Sequence, residues 1–362
     1  MASTSTASMA GTESFGPGRV AVIGASGYGG LQTLRLLQQH PHFCVSFLGG
    51  ERSAGQRWSS VCSFFPLPDD PLVESADPDR IAATSDFAVL SLPNGLASQL
   101  APELLQRGVR VVDLSADFRY RSLEKWSQVY AQEAAKLNRQ DEDLCSSAVY
   151  GLPEWNGPAI AEAKLVAAPG CFPTASLLPL LPFLKQGLIE TSGIIIDAKT
   201  GTSGGGRVPK EAMLLAEASE SIAPYGVIGH RHTSEIEQMA QDVAGQDIRL
   251  QFTPHLVPMV RGLLSTVYAR LRDPGLTAED CTTVLEAVYF KASGEWVPAE
   301  GSGWHTYLLK REPASTPVAA TAKATANASP AGGGSPPPSH GSRRSKKCHW
   351  KPAPEGMGGA QM

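Results

Sequence analysis

The chain has 362 residues, 42% hydrophobic and 18% charged, with a formal net charge of −4. That profile is of a globular protein with room for two cored domains, and the charge gives no reason to expect a nucleic-acid partner. The six cysteines are scattered without a Cys-x-x-Cys pair, which points to free thiols in a reducing, cytoplasmic setting, and no apolar run approaches the ~18–20 residues of a membrane span.

Residues 1–18 are rich in Ser, Thr and Gly, with no basic start and no apolar core, and read as a disordered lead-in. A buried strand follows at Arg19-Val20-Ala21-Val22-Ile23, then a Gly-rich turn and an amphipathic helix from Leu31. Strands are expected at 44–49, 87–92 and 109–114, with a helix over Leu96 to Gln106. This β-α-β alternation predicts an α/β fold with a parallel sheet and crossover helices. The first domain is placed at 19–152. A second domain, 153–298, should contain a helix starting at Cys171, strands near 194–198, 248–253 and 264–271, and a helix over Glu235 to Val243. From 299, and plainly from Pro313, Pro, Ala, Ser, Thr and Gly take over. A segment so poor in apolar residues cannot offset its ordering entropy, and 299–362 reads as a largely disordered tail.

Three constellations carry chemistry. Gly24-x-x-Gly27-x-x-Gly30, with Ser26, Tyr28 and Gly29 between, joins a strand to a helix, where free N–H groups and the helix dipole suit a pyrophosphate. At the end of the second strand Arg52 and Ser53 favour a 2′-phosphate and hence NADP, with Glu51 discordant. Cys171 stands in Ala168-Pro169-Gly170-Cys171-Phe172-Pro173. Pro169-Gly170 precede a helix and Pro173 fits a first turn, so the sulfur should meet a helix N-terminus that favours thiolate and can hold an oxyanion. In His230-Arg231-His232-Thr233-Ser234-Glu235, Ser234 and Glu237 have capping-box spacing, which predicts a helix starting after the histidines with Glu235 in its first turn. An imidazole oriented by a neighbour suits general acid/base work, and no third ligand of fitting spacing supports a metal. The segment 197–207 ends a strand in a Gly-rich loop bracketed by Lys199 and Arg207, suited to an anionic group, and Arg261 is a candidate second clamp.

Together these stretches resemble the N-acetyl-gamma-glutamyl-phosphate reductase family, in a cyanobacterial or plant-like branch. The resemblance rests on GASGYGG (24–30), SLPNGLA (91–97), DLSADFR (113–119), VYGLPE (149–154), PGCFPTA (169–175), DAKTGTSGGGR (197–207), HRHTSEIEQ (230–238) and FTPHLVPMVRG (252–262). It implies a Rossmann-type NADP-binding domain plus an α+β catalytic domain of the semialdehyde/glyceraldehyde-phosphate dehydrogenase kind. It further implies NADPH as cofactor, a small-molecule acyl-phosphate substrate, a homo-oligomer (dimer or tetramer) and no membrane partner. Cys171 would form the thioester, His232 would move protons, and His230 and Glu235 would support it or the substrate. Ser91 and Pro93 would join the Gly-rich turn at the cofactor, and Ser115, Arg119, Lys199, Ser203, Arg207 and Arg261 would meet the substrate.

The chain departs from the family at two places. Pro179 and Pro182 both fall in the Cys171 helix, where the resemblance leads one to expect a proline only near the second, and an interior proline costs about 3 kcal/mol unless a kink relieves it. Beyond about Trp296 nothing matches the family's Asp-Asn-Leu-Val-Lys-Gly-Ala-x-Gly-Gln-Ala stretch, which packs against the cofactor domain. Rival expectations are therefore a catalytically impaired member, a related enzyme such as aspartate-semialdehyde dehydrogenase, or a Cys171–His232 thiol hydrolase.

Overall fold

The computed structural model describes residues 17–289. The lead-in over 1–16, the tail over 299–362 and the divergent sequence around Trp296 lie outside the described residues. The first sheet holds six parallel strands: β1 (Gly18–Ile23), β2 (Phe43–Gly49), β3 (Phe87–Leu90), β4 (Arg110–Asp113), β5 (Val149–Tyr150) and β6 (Leu165–Ala167), in the order β2-β1-β3-β4-β6-β5. Alternate residues feed two cores. Ala21, Ile23, Ala88 and Leu90 pack on one face, Val20, Val22, Phe87 and Val89 on the other. Strands buried on both faces require helices on both, which the crossovers supply.

β1 pairs with β2 on one side and β3 on the other, so the strand order reverses between β1 and β3. The crevice outside the carboxyl ends of such strands is where doubly wound sheets bind ligands. The Gly24–Gly30 turn and Ser91 both lie there, tied by the Ser91 N–H donating to Ile23 O at 2.8 Å.

The chain does not leave this sheet at 152. The helix Pro153–Glu162 returns it to β6, which pairs with β4, so the first unit reaches Ala167. Three residues, Leu165-Val166-Ala167, are too short to read as a strand by periodicity.

The second sheet holds β7 (Ile194–Thr200), β8 (Ala223–Pro224), β9 (Leu250–Leu256) and β10 (Leu263–Tyr268), ordered β10-β7-β9-β8 with only β7 and β9 parallel. Helices Cys171–Lys185 and Arg231–Ala244 cover one face, packing on Ile194, Ile196 and Ala198. The Cys171 helix runs unbroken through both prolines. Pro182 withholds the N–H that would bond Leu178 O, and the Tyr289 hydroxyl donates to that carbonyl instead at 2.6 Å. Tyr289 ends the helix Ala278–Tyr289 and accepts in turn from Trp155 Nε1 at 3.2 Å.

Cys62, Cys145, Cys171 and Cys281 are free thiols. Among the described residues no helix is long and apolar enough to cross a membrane.

Candidate active site

Cys171 is the first residue of its helix, with Gly170 in extended conformation as N-cap. Its side chain is exposed, where the buried Cys62 and Cys145 are not. Of the electrostatic forces on the thiol, desolvation by the surrounding protein is the largest and raises its pKa. The Phe172 N–H and the Arg119 charge pull it down, Glu235 pushes it up, and the net shift is upward. The helix N-terminus that should favour thiolate is thus opposed by desolvation and by Glu235.

The peptide that precedes the sulfur is held from three directions. Gly170 N–H donates to Glu235 Oε1 at 2.9 Å, and the Tyr150 hydroxyl donates to the same oxygen at 2.8 Å. Arg119 Nη1 meets Glu235 Oε2 at 3.3 Å, while its Nε and Nη2 donate to Ala168 O and Leu114 O. Glu235 is fully buried and the Arg119 side chain is 8% exposed. Burial alone would lower the Arg119 pKa, yet Glu235 together with Tyr130, Tyr150 and Asp113 more than offsets it and the guanidinium stays charged. Tyr150 was not a sequence candidate; only its place in VYGLPE hinted at it.

His232 is buried against this peptide: a Cβ built on Gly170 would fall 2.6 Å from His232 Nε2 and 3.0 Å from Arg119 Nη1. Glycine at 170 is therefore a requirement of close approach. Burial first, then Arg119, His230 and Arg231, hold the His232 pKa well below the usual range, so the imidazole is neutral, and its buried Nδ1 has no hydrogen-bond partner among the described residues. His230, pushed down to about 4 by burial and Arg231, caps the helix: its Nδ1 accepts from His232 N–H at 3.1 Å. The helix thus starts at Arg231, before Ser234, and Glu235 falls in its second turn. Ser234 is not the cap; its hydroxyl meets the Tyr120 hydroxyl at 2.9 Å, and Glu237 accepts from Leu250 N–H. Glu235 orients the Gly170 peptide, not the imidazole.

The remaining candidates divide. Ser115 is buried, donating to Asp113 from both N–H and hydroxyl at 2.8 Å, which shapes its loop. Burial and the neighbouring Asp117 charge push Asp113 up to about 6. Asp117 accepts from Gly95 and Ser98 N–H groups, fastening the 91–98 loop with Ser91 and Pro93 at the end of β3. Arg119 commits three of its five N–H donors to Ala168 O, Leu114 O and Glu235 and so positions the nucleophile's peptide. Strand alternation sends Lys199 with Ile195 and Asp197 to the sheet face opposite the Cys171 helix, where it ion-pairs with Asp197. Ser203 and Arg261 lie on adjoining loops, joined by Ser203 N–H to Val260 O at 2.9 Å. Arg207 instead reaches the Gly-rich turn, donating to Ser26 O at 2.6 Å. A cavity of about 320 Å³ is lined by Arg119, Tyr150 and Gln238 but not by Cys171.

The dinucleotide crevice fits a phosphate-bearing cofactor. Gly27 caps the helix Tyr28–Gln39 without a side-chain hydrogen bond, and no acidic residue stands in the first turn, so the N–H groups of that turn are open to an anion. Gly24, Gly29 and Gly30 are fixed by packing: a Cβ at Gly24 would fall 2.2 Å from Ser91 O, at Gly29 2.6 Å from Ser91 Oγ, and at Gly30 2.4 Å from Gly24 O. Arg52 and Ser53 follow β2 in a short 3-10 turn, with Arg52 exposed and unpaired among the described residues. The discordant Glu51 is occupied: its carboxylate accepts from Ala76 N–H at 2.9 Å.

Comparison with known proteins agrees with this division. Residues 19–163 match the family model "Semialdehyde dehydrogenase, NAD binding domain", and residues 171–303 match "Semialdehyde dehydrogenase, dimerisation domain". A Synechococcus sp. (strain CC9605) protein named N-acetyl-gamma-glutamyl-phosphate reductase is 92% identical over 272 residues, 75% of this chain and 76% of that protein. A Prochlorococcus marinus (strain MIT 9313) protein of the same name is 79% identical over 271 residues, again 75% and 76% of the two. Among solved structures, aspartate semialdehyde dehydrogenase II from Vibrio cholerae has a TM-score of 0.54 at 20% identity, covering 75% of this chain and 79% of that one. The Candida albicans enzyme with NADP gives 0.54 at 17%, covering 74% and 75%. At such identities the two structures establish the fold alone.

Proposed function

The chain belongs to the N-acetyl-gamma-glutamyl-phosphate reductase family, and from that premise we propose that its chemistry runs through the Cys171 sulfur at the start of the catalytic helix. The activity is NADPH-dependent reduction of N-acetyl-L-glutamyl 5-phosphate to N-acetyl-L-glutamate 5-semialdehyde with release of phosphate. The observation that carries the assignment of Cys171 is its exposed thiol at a helix N-terminus, on a peptide clamped by Glu235 and Arg119 beside a neutral histidine.

Cys171 Sγ attacks the acyl carbonyl, the C–S bond forms, the C–O bond to phosphate breaks, and phosphate leaves. The thiol must lose its proton, and His232, neutral and pressed against residue 170, is in the right charge state to accept it. Backbone N–H groups of the first helical turn face the developing oxyanion. NADPH, when bound, supplies the hydride that reduces the thioester carbonyl. The C–S bond then breaks, the semialdehyde leaves and Cys171 takes back the proton held by His232. Splitting one hard displacement into two steps is the gain of the covalent route. The Gly24–Gly30 turn with Ser91 and Pro93 would hold the cofactor, Arg52 and Ser53 its 2′-phosphate, and Ser203 and Arg261 the substrate's anionic end. His230 acts by capping the helix that carries His232, and Glu235 by fixing Gly170; both are positioning residues.

The dimerisation-domain match supports a homo-oligomer, which we read as a dimer or tetramer, and a cytoplasmic location fits the same reading. The test is the reverse reaction: the purified chain with N-acetylglutamate semialdehyde and NADP should make NADPH only when phosphate is present. Phosphate-independent NADPH formation would refute the acyl-phosphate assignment.

A further inference from the structure

Arg207 belongs by sequence to the catalytic domain but touches the other one. The loop that carries it is fixed at its base, where Gly201, Thr202 and Ser203 N–H groups donate to Gly262, Met259 and Val260 carbonyls at 2.9–3.0 Å. It then turns through Gly206 at φ 88°, a conformation that favours glycine, and extends Arg207 across the crevice. There Arg207 Nη1 donates to Ser26 O at 2.6 Å, with the guanidinium 5.9 Å from the Phe64 ring centroid. Arg207 is exposed and has no acidic partner among the described residues, so most of its N–H donors are uncommitted. The Gly24–Gly30 turn contains no cation of its own. Its N–H groups carry only partial charge, against the formal charges of a pyrophosphate.

We propose that Arg207 is a cofactor-phosphate residue that grips the dinucleotide pyrophosphate from the catalytic-domain side and closes the 201–207 loop over the Gly24–Gly30 cradle. It goes beyond the NADP reading above, on which it rests. A residue from the catalytic domain bound to the cofactor's centre ties occupancy of one domain to the arrangement of the other. Arg207 differs in role from Arg52, because the pyrophosphate is common to NADPH and NADH whereas the 2′-phosphate is not.

The experiment is equilibrium binding to the full chain and its R207A and R207K variants, by nicotinamide fluorescence for NADPH and NADH and by calorimetry for 2′-AMP, which lacks the pyrophosphate. R207A should weaken NADPH and NADH by the same factor, about ten-fold for a lost charge-assisted pair. R207K should recover part of that loss, and 2′-AMP affinity should be unchanged, which also shows an intact fold. Wild-type NADPH affinity in R207A with a raised KM for the acyl phosphate would overturn the proposal and return Arg207 to the substrate. Equal loss of 2′-AMP binding would overturn the pyrophosphate assignment. Failure of the unaltered chain to bind NADPH would instead refute the cofactor reading beneath it.

Discussion

Replacing Glu235 by Gln separates the two effects of its charge. The glutamine keeps the size of the side chain and one oxygen to accept from Gly170 N–H and the Tyr150 hydroxyl, now 2.9 and 2.8 Å from the carboxylate. It cannot neutralise Arg119, which is 8% exposed and has no other acidic group within salt-bridge distance among the described residues. Breaking a buried ion pair from one side costs roughly 3–5 kcal/mol. With both neutral hydrogen bonds retained, the low end, about 3 kcal/mol, is expected, or a Tm lower by about 6–12 °C for a domain of this size. Thiol reactivity should move the other way. Glu235 raises the Cys171 pKa and Arg119 lowers it, so E235Q removes the first influence and leaves the second. Alkylation of Cys171 by iodoacetamide, followed by peptide mapping to exclude the other thiols, should be faster at neutral pH, with its pH profile displaced downward. A Tm within about 1 °C of wild type, or a pH profile displaced upward, would refute the account of Glu235 as the charge that both anchors the peptide and restrains the thiol.

Arg52→Ala should weaken NADPH by about ten-fold in a fluorescence titration and leave NADH unchanged, since only the 2′-phosphate is lost to it. Equal losses would count against the assignment. Tyr289→Phe leaves the buried Leu178 carbonyl without its donor and should cost roughly 1–3 kcal/mol in urea denaturation. That cost should shrink in a P182A background, where a restored N–H takes the same carbonyl. An undiminished cost there would show that the hydroxyl does not substitute for the missing backbone donor.

What was legible in the sequence was local. Val20-Ala21-Val22-Ile23 with the glycines after it specify a strand, a tight turn and a helix within thirteen residues, and Pro169-Gly170 with Pro173 bracket a helix start at Cys171. The Arg231 helix start was misread because its cap is a histidine ring nitrogen, outside the usual set of capping side chains. The face that Lys199 shares is hidden in the sequence, because Ile194-Ile195-Ile196 is apolar on both faces. Glu235's partners were invisible for another reason: Gly170, Tyr150 and Arg119 lie 65, 85 and 116 residues away in the chain, and only the packing of the two sheets brings them together. Arg207 reaches Ser26 across 181 residues, a contact no spacing announces.

The most direct measurement is intact-mass analysis of the full chain mixed with N-acetylglutamyl phosphate, generated in situ, with no nicotinamide cofactor. The account predicts one equivalent of phosphate released and one N-acetylglutamyl adduct, mapped to the peptide holding Cys171, removed by hydroxylamine and absent from Cys171→Ala. An enzyme that turns over with NADPH while Cys171 never carries the acyl group, or that keeps its rate as Cys171→Ala, would contradict the covalent mechanism.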